Sequence, residues 1–423
     1  MIKPYINKLK QYIDQYLELW DFFGVIQVIQ RGEVVFERSS GYACLEFGIK
    51  NTVDSRFTLA SVTKQFTAFA VMLLHDKGHL DLDRPANDYL PARLQIPENI
   101  TVHHLLSHTS GLYNFYQFAD DFFDRDNRGY YSRDEYFADY IMKQPVQEPG
   151  KRYDYNNSNY NLLAWIIEHV SGLAFDEFMA QHIYEPLQMK GSTIDDSDKI
   201  IAGKSFNYTK NYDSYVRCPY YNEKFSIGAG AMVSNCADLF KWHECLRDRK
   251  LLSAEAYERF FTANMNGYCY GLEHSRVYGT DRYAHGGDHL GVATYIQSFF
   301  AEDLCILILS NNEAVNQYKL GHAIADIVHG AEVQAPSKHA EMPAGQETLA
   351  LYCGTYLPGK IQLEYTGGKL YFVRFKGSLY IELYTVAEGK FVQRYYDQTE
   401  PYSLPVNEEG RPQFFGFIKQ ETQ

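Results

Sequence analysis

The amino-acid sequence predicts an α+β protein built in two parts, and three observations support this. Over residues 1–330, apolar residues recur at helical spacing in some segments and form short strand-like runs in others. Residues 331–346 contain small residues and prolines without an apolar period, which is typical of a linker. Residues 347–423 form short alternating runs separated by turns such as Gly367-Gly368, which is typical of a small antiparallel β-barrel or sandwich. The 423 residues suit this division, at roughly 100–200 residues per domain.

The N-terminal part begins with an amphipathic helix predicted over residues 2–20. Residues 25–29 and 34–37, joined by a turn at Arg31 and Gly32, predict a hairpin. A helix is expected over residues 61–77, because Gly78 stands where a C-terminal cap belongs. Further helices are predicted over residues 101–107, 161–170 and 317–328, and strands over residues 292–299 and 304–309.

Composition and charge exclude several classes of partner. The chain has 40 Lys and Arg against 53 Asp and Glu, a formal charge of −13, and the basic residues do not cluster. This argues against binding to nucleic acid or to an anionic membrane surface. No apolar run reaches the roughly 18 residues that a membrane span needs. The N-terminal segment lacks the features of a secretory signal, so we expect a cytoplasmic protein, with an exported mature form as the alternative. The oligomeric state cannot be read from the sequence.

Metal and cofactor sites are not expected. The seven cysteines are scattered and include no Cys-x-x-Cys pair, which favours buried, reduced thiols. His104 and His108 lie one helical turn apart with His103 beside them, but no His-Glu-x-x-His arrangement accompanies them. We therefore interpret the three histidines as structural.

Ser61 is the candidate nucleophile. Lys64 follows three residues later at a predicted helix start, so both side chains lie on one face of the helix. A serine hydroxyl needs a neighbouring base, and a lysine becomes one when apolar neighbours exclude water. The alternative is a serine that only caps the helix, because Ser-x-x-Lys also occurs by chance. Here it occurs once in the chain.

Two further segments carry residues suited to the same chemistry. Tyr155 and Asn157 precede a predicted helix and offer a phenol for proton transfer and an amide for a substrate carbonyl or amide. The alternative is a tyrosine-rich turn. His285, Gly286 and Gly287 lead into a predicted strand, where glycines let backbone approach a ligand closely. An edge strand there could hydrogen-bond an extended substrate; the alternative is a glycine turn with a hydrogen-bonded histidine.

These elements occur in the order found in the serine beta-lactamase-like hydrolases, which the sequence resembles over about residues 2–330. The group contains class C beta-lactamases, D-alanyl-D-alanine carboxypeptidases, D-aminopeptidases and esterases. Residues 57–68 resemble its nucleophile helix, residues 104–112 (HLLSHTSGL) a second landmark, and residues 228–234 (GAGAMVS) with Asp238-Leu239 another. The resemblance implies an antiparallel sheet flanked by helices, with a helical subdomain and the active site between them. Residues 349–423 resemble the lipocalin-like barrel of some members.

The resemblance also implies a role for each motif residue. Ser61 would be acylated and Lys64 would accept its proton, while Tyr155 would share the proton relay and protonate the leaving group. Asn157, His285 and Gly287 would contact substrate. The backbone N–H groups of Ser61 and Asp288 would form the oxyanion hole, which is worth roughly 3–4 kcal/mol per donor.

Two departures from the family pattern bear on the substrate. Many members have Lys-Thr-Gly where this chain has His285-Gly286-Gly287, and a histidine is mostly uncharged at neutral pH. Asp288 adds a negative charge if its side chain faces the cleft. Both favour esters, amides or peptides without an obligatory carboxylate. The alternatives are a true beta-lactamase and a catalytically weak penicillin-binding or sensor protein.

Aromatic residues make up 16% of the chain and concentrate in two segments, residues 112–151 and 205–224. In the resembled family such segments surround the cleft, so they could form an aromatic wall that selects substrate. Packing of surface loops against their own domain is the alternative.

Overall fold

The computed structural model describes residues 5–114, 135, 137, 141, 147–219, 221–357, 361–374, 377, 379–408, 410–414 and 417–419. Most of the aromatic segment 112–151 and Tyr220 therefore lie outside the described residues. The fold is α+β, as predicted, with antiparallel sheets and surrounding helices.

Six antiparallel strands form the central sheet, in the order β10-β11-β12-β13-β1-β2. Their bounds are β1 Gly24–Gln30, β2 Glu33–Ser40, β10 Glu273–Val277, β11 Thr280–His289, β12 Val292–Phe299 and β13 Leu304–Ser310. Alternate residues of β13 enter two cores: Cys305 and Leu307 face one, and Leu304 and Ile306 face the other. A strand points successive side chains to opposite faces, so this sheet is buried on both sides.

Helices cover the two faces of the sheet. Within the described residues they are α1 Tyr5–Leu19, α2 Thr63–Asp76, α3 Val102–Leu106, α4 Asn157–Ser171, α5 Phe175–Met179, α6 Cys236–Arg247, α7 Ala254–Phe261 and α8 Gln317–Val328. Helix α9, Gln346–Leu351, packs instead in the core of the C-terminal part. Helices α1 and α8 pack in the core on one face. Helices α2, α4 and α6 contribute to the larger core on the other. None of the described helices is long and apolar enough to cross a membrane.

Short strands complete this part of the chain: β3 Tyr42–Cys44, β4 Ile49–Lys50, β5 Phe57–Thr58, β6 Thr193–Ile194, β7 Tyr208–Asn211, β8 Ser214–Arg217 and β9 Met232–Ser234. Strand β9 lies between β5 and β6. It therefore ties the segment just before Ser61 to the landmark at residues 228–234.

The C-terminal part is a curled antiparallel sheet in the order β19-β18-β17-β16-β15-β14-β21-β20. The bounds are β14 Gly354–Leu357, β15 Ile361–Thr366, β16 Lys369–Arg374, β17 Leu379–Ala387, β18 Lys390–Gln393, β19 Tyr402–Ser403, β20 Gln413–Phe414 and β21 Phe417–Lys419. The sheet packs on the β7–β8 hairpin, where the ring of Tyr212 stacks on Tyr380 at 4.8 Å. The Tyr212 N–H also donates to the Tyr380 carbonyl.

Two helix starts differ from the predictions. Residues 60–62 form a 3₁₀ turn, and α2 begins only at Thr63, so Ser61 lies before the α-helix rather than in its first turn. Helix α4 begins at Asn157, four residues earlier than predicted, because Asn156 caps it by accepting a hydrogen bond from the Ser158 N–H. This earlier start brings Asn157 into the helix.

Candidate active site

Ser61 lies in a strained turn between β5 and α2. Ala60 has φ = 46°, a left-handed conformation that is uncommon for a residue with a side chain. The Leu59 N–H bonds the Met232 carbonyl on β9, and the Thr294 hydroxyl donates to the Leu59 carbonyl at 2.7 Å. Strands on both sides therefore hold the residues just before Ser61 and fix where its hydroxyl projects.

Lys64 contacts Ser61 and two other acceptors. Its Nζ lies 2.9 Å from Ser61 Oγ, 2.7 Å from Asn157 Oδ1 and 2.8 Å from the Ala229 carbonyl oxygen. The side chain is fully buried. Burial lowers the pKa of Lys64 well below its ordinary value, because an ammonium loses its hydration there.

If Lys64 is neutral, its amine can serve all three contacts. It has two N–H donors and one lone pair, and the Ala229 carbonyl and Asn157 Oδ1 accept the two donors. The lone pair then faces the Ser61 hydroxyl. The arrangement is that of a base placed to take the proton of Oγ.

Tyr155 completes the hydrogen bonding of Ser61. Its phenol bonds the Ser61 hydroxyl, and Lys64 Nζ lies 4.9 Å from the centre of its ring. Burial raises the pKa of Tyr155 well above its ordinary value. Lys64 is thus favoured without its proton and Tyr155 with it, so the environment separates a base from an acid.

Strand β11 forms the opposite wall of the site. Its pairing with β10 ends at Ala284, and its pairing with β12 continues to His289. The segment from His285 to His289 is therefore locally an edge facing the cleft, although β11 itself is not the edge strand of the sheet. The predicted edge exists because β10, which the sequence did not predict, is short.

His285 is a buried, neutral part of this wall. Its Nδ1 lies 2.7 Å from the Gly286 carbonyl and its Nε2 lies 3.0 Å from the Tyr268 hydroxyl. The carbonyl can only accept, so Nδ1 carries the proton and Nε2 accepts from Tyr268. Burial lowers the pKa of His285 to about 3, and Lys64 adds to this effect whenever it is protonated. His285 therefore supplies no cation to the cleft.

The chain compares closely with one family of known proteins. A family model described as beta-lactamase matches residues 9–331. The chain belongs to the beta-lactamase family.

Three relatives of this beta-lactamase-family protein show the range of the resemblance. The putative penicillin-binding protein PbpX of Bacillus subtilis (strain 168) is 29% identical over 315 residues, which cover 74% of this chain and 75% of PbpX. A D-aminopeptidase of Gluconobacter oxydans (strain 621H) is 25% identical over 341 residues, which cover 79% of this chain and 62% of that protein. The solved structure of an octameric penicillin-binding protein homologue from Pyrococcus abyssi matches with a TM-score of 0.69 and 25% identity, covering 96% of this chain and 94% of that one.

The cleft of this beta-lactamase-family protein has a volume of ≈ 500 Å³ and carries acidic groups. Its described lining residues include the carboxyl groups of Glu223, Glu273 and Asp288 and no Lys or Arg. Asp288 accepts hydrogen bonds from the Gln317 amide at 2.6 Å and the Tyr318 hydroxyl at 3.0 Å. Asp288 is a lining residue of the cleft, and its carboxylate is held by these two residues of α8.

His108, which the sequence analysis interpreted as structural, packs behind the residues that line the site. Its buried ring lies 4.4 Å from that of Tyr155 and 4.7 Å from that of Tyr268, between ring centres. Its Nδ1 accepts from the Asn156 N–H. No group of three or more possible metal ligands occurs within the described part of the chain. His108 packs against the general-acid candidate and against the residue that holds His285.

The second aromatic segment, residues 205–224, contributes no aromatic side chain to the described lining of the cleft. Tyr208, Tyr212 and Tyr215, in the second segment, lie on or beside the β7–β8 hairpin, away from Ser61. The described tyrosines that line the cleft are Tyr153, Tyr155 and Tyr318. The sequence analysis missed Tyr318, which follows the N-cap of α8 by two residues.

Gly287→Ala is expected to damage the site by steric pressure. A Cβ at Gly287 would overlap the Leu59 carbonyl oxygen and Thr294 Oγ1, two groups that hold the Ser61 turn against β11 and β12. Overpacking of this kind costs about 1–3 kcal/mol. Because it also moves the turn that carries an oxyanion donor, we expect ester hydrolysis to fall about 10²-fold or more. Initial rates on a p-nitrophenyl ester and a thermal melt test this.

Gly345→Ala is the matched control, because a Cβ there meets no atom within 4 Å. It should leave both measurements near the wild-type values. Wild-type activity in Gly287→Ala would contradict the close packing described for this wall.

Proposed function

We propose that this protein hydrolyses neutral or amine-bearing esters, amides or peptides through an acyl-enzyme formed on Ser61. The observation that carries the proposal is the pairing of a nucleophile–base arrangement with a cleft that has carboxyl groups and no described Lys or Arg. A substrate carboxylate would have no described cationic partner there, whereas an ammonium would have several acceptors. The proposal requires neither a metal nor a cofactor.

The first half of the reaction is acylation. Lys64 takes the proton of Ser61, and Oγ forms a bond to the substrate carbonyl carbon. The negative charge that develops on the carbonyl oxygen would be held by the backbone N–H groups of Ser61 and Asp288. The bond to the leaving group then breaks, and Tyr155 gives its proton to that group and regains one from Lys64.

The second half is deacylation by water. Water attacks the carbonyl carbon of the acyl-serine, loses a proton to the Lys64–Tyr155 pair, and the bond to Oγ breaks as Oγ recovers its proton. Asn157 holds Lys64 through its side-chain oxygen, which orients the amine during both halves. The same groups serve in both directions of proton transfer.

Similarity to known proteins supports the substrate class. The relatives include a D-aminopeptidase and a putative penicillin-binding protein. The charges that line the cleft can be compared with the kind of ligand that each name implies. The acidic lining favours the amine-bearing substrate of the first over the anionic ligand of the second. The cytoplasmic location stays a prediction to be tested by fractionation.

A substrate panel tests the proposal. We expect D-alanine p-nitroanilide and p-nitrophenyl acetate to be hydrolysed with at least about tenfold higher kcat/KM than a chromogenic cephalosporin, because the described cleft lining offers the cephalosporin carboxylate three carboxyl groups and no Lys or Arg. Equal or better activity on the cephalosporin would favour a true beta-lactamase. A fluorescent penicillin tests the remaining alternative, a penicillin-binding sensor. That alternative predicts an adduct on Ser61 that never decays and no turnover of any substrate in the panel.

A further inference from the structure

Glu223 lies in the wall between two cavities. It is in a 3₁₀ turn, Glu223–Ser226, and lines both the catalytic cleft and a neighbouring cavity of ≈ 580 Å³. Only 6% of its surface is exposed. Its backbone N–H donates to Ser197 Oγ, but no described residue donates a hydrogen bond to its carboxyl group. Its carboxyl oxygens are not among the described side-chain atoms that are fully buried without a partner, so the carboxyl group opens to the cavity surface and can receive a ligand.

The nearest charges do not satisfy Glu223. Lys204 is bonded to Asp195, whose carboxylate is itself buried and adds negative charge near Glu223. Burial raises the pKa of Glu223 to about 8, and Asp195 adds to this effect while Lys204 opposes it. The free protein therefore holds an acidic group that an incoming cation would stabilise in its ionised form.

The other two carboxyl groups in the cleft differ from Glu223. Asp288 already accepts hydrogen bonds from Gln317 and Tyr318. Glu273, at the start of β10, has a more exposed surface than Glu223, although burial raises its pKa as well. Glu223 alone combines deep burial with the absence of a described hydrogen-bond donor.

The turn that carries Glu223 is rigidly connected to the catalytic lysine. The Ser226 carbonyl accepts hydrogen bonds from the N–H groups of Ala229, Gly230 and Ala231, at 2.7 to 3.1 Å. The Ala229 carbonyl in turn accepts from Lys64 Nζ. The Asn161 side chain on α4 also holds the Phe225 carbonyl at 2.6 Å. A group bound at Glu223 would thus have a fixed position relative to Ser61.

We propose that Glu223 binds the ammonium group of a substrate whose scissile carbonyl lies at Ser61. The inference rests on the proposed function and makes it specific: the preferred acyl group is an aminoacyl group with a free amine. A charge-assisted hydrogen bond to a buried carboxylate is stronger than one between neutral groups, and it distinguishes an ammonium from an acylated amine.

Two substrates and one isosteric variant test the assignment. D-alanine p-nitroanilide and its N-acetyl derivative differ only in the charge and size of the amine. We expect the wild type to favour the free amine, and Glu223→Gln to lower the ratio of the two kcat/KM values about tenfold or more. Active sites are counted by fluorophosphonate labelling of Ser61, so that a loss of folded protein does not alter the ratio.

Glu258→Gln is the control, because it removes an exposed carboxyl group that does not line the cleft, and it should keep the wild-type ratio. An unchanged ratio in Glu223→Gln, or an equal decrease in Glu258→Gln, would overturn the assignment. Failure of the proposed function would look different: the wild type would hydrolyse neither substrate, or Ser61 would not be labelled.

Discussion

Replacing Ser61 by alanine is expected to abolish covalent labelling and to reduce kcat/KM for ester or anilide substrates by about 10⁴-fold or more. Losses of this size are typical of hydrolases in which the nucleophile and its base depend on each other. The hydroxyl is the group that Lys64 Nζ and the Tyr155 phenol both contact. Without it the covalent intermediate cannot form, while the cleft and the oxyanion donors remain. Intact-protein mass spectrometry after incubation with a fluorophosphonate measures the adduct, and peptide mapping locates it.

Ser226→Ala is the control for this experiment. Ser226 lines the same cleft, but its hydroxyl is hydrogen-bonded to the Tyr221 phenol rather than to an amine. The adduct should persist in this variant and map to Ser61. If Ser61→Ala formed the adduct in the same yield as the wild type, the nucleophile would be another residue and the assignment would be refuted.

The sequence predicted those parts of the site that depend on local spacing. Ser61 and Lys64 are three residues apart, and such residues meet within one helical turn whatever surrounds them. The helix Gln317–Val328 and the strand Val292–Phe299 have the predicted bounds, because each has a clear apolar pattern and a defined end. The family resemblance supplied the order of the motifs and with it the antiparallel sheet.

The boundaries near Ser61 and Asn157 were less accurate because they depend on backbone conformation. Ala60 adopts a left-handed conformation and forces a 3₁₀ turn before α2, which nothing in its residue type indicates. Asn156 could have been found, since an asparagine before an apolar periodic segment is a typical N-cap. The sequence analysis interpreted the neighbouring Tyr155 and Asn157 as site residues and did not consider Asn156 as a cap.

Contacts between distant segments were not predicted. His108 contacts Tyr268, which lies 160 positions further along the chain, and Tyr268 in turn bonds His285. The proposed role of Glu223 depends on its position between two cavities, which only the folded structure shows. Each of these depends on which loops the fold brings together, and a single sequence contains no pattern for that.

Replacing Lys64 by methionine is expected to reduce acylation by about 10²–10⁴-fold, the range for loss of a positioned base. The wild-type rate should rise with pH through the lowered pKa of Lys64, because only the neutral amine has a lone pair for the Ser61 proton. Rates of fluorophosphonate labelling measured from about pH 5 to pH 10 show whether the variant loses this inflection.

The variant His285→Gln tests whether Lys64 or His285 causes the inflection in the labelling rate. The pKa of His285 is lowered to about 3, so His285 stays neutral across that pH range and its replacement should leave the inflection in place. An inflection near pH 6.5 that disappears in His285→Gln would contradict both the hydrogen bonds of His285 and the assignment of Lys64 as base.

The same lowered pKa has a consequence for folding that activity does not report. In the unfolded chain Lys64 has a pKa near its ordinary value of about 10.4, so at neutral pH unfolding takes up a proton. Stability then rises with pH wherever the unfolded state binds more protons, by at most about 1.4 kcal/mol per pH unit for one group. The free energy of unfolding of the wild type relative to Lys64→Met should therefore increase between about pH 7 and pH 10. A difference that does not change with pH would mean that Lys64 is charged in the folded protein, and a charged ammonium could not accept the proton of Ser61.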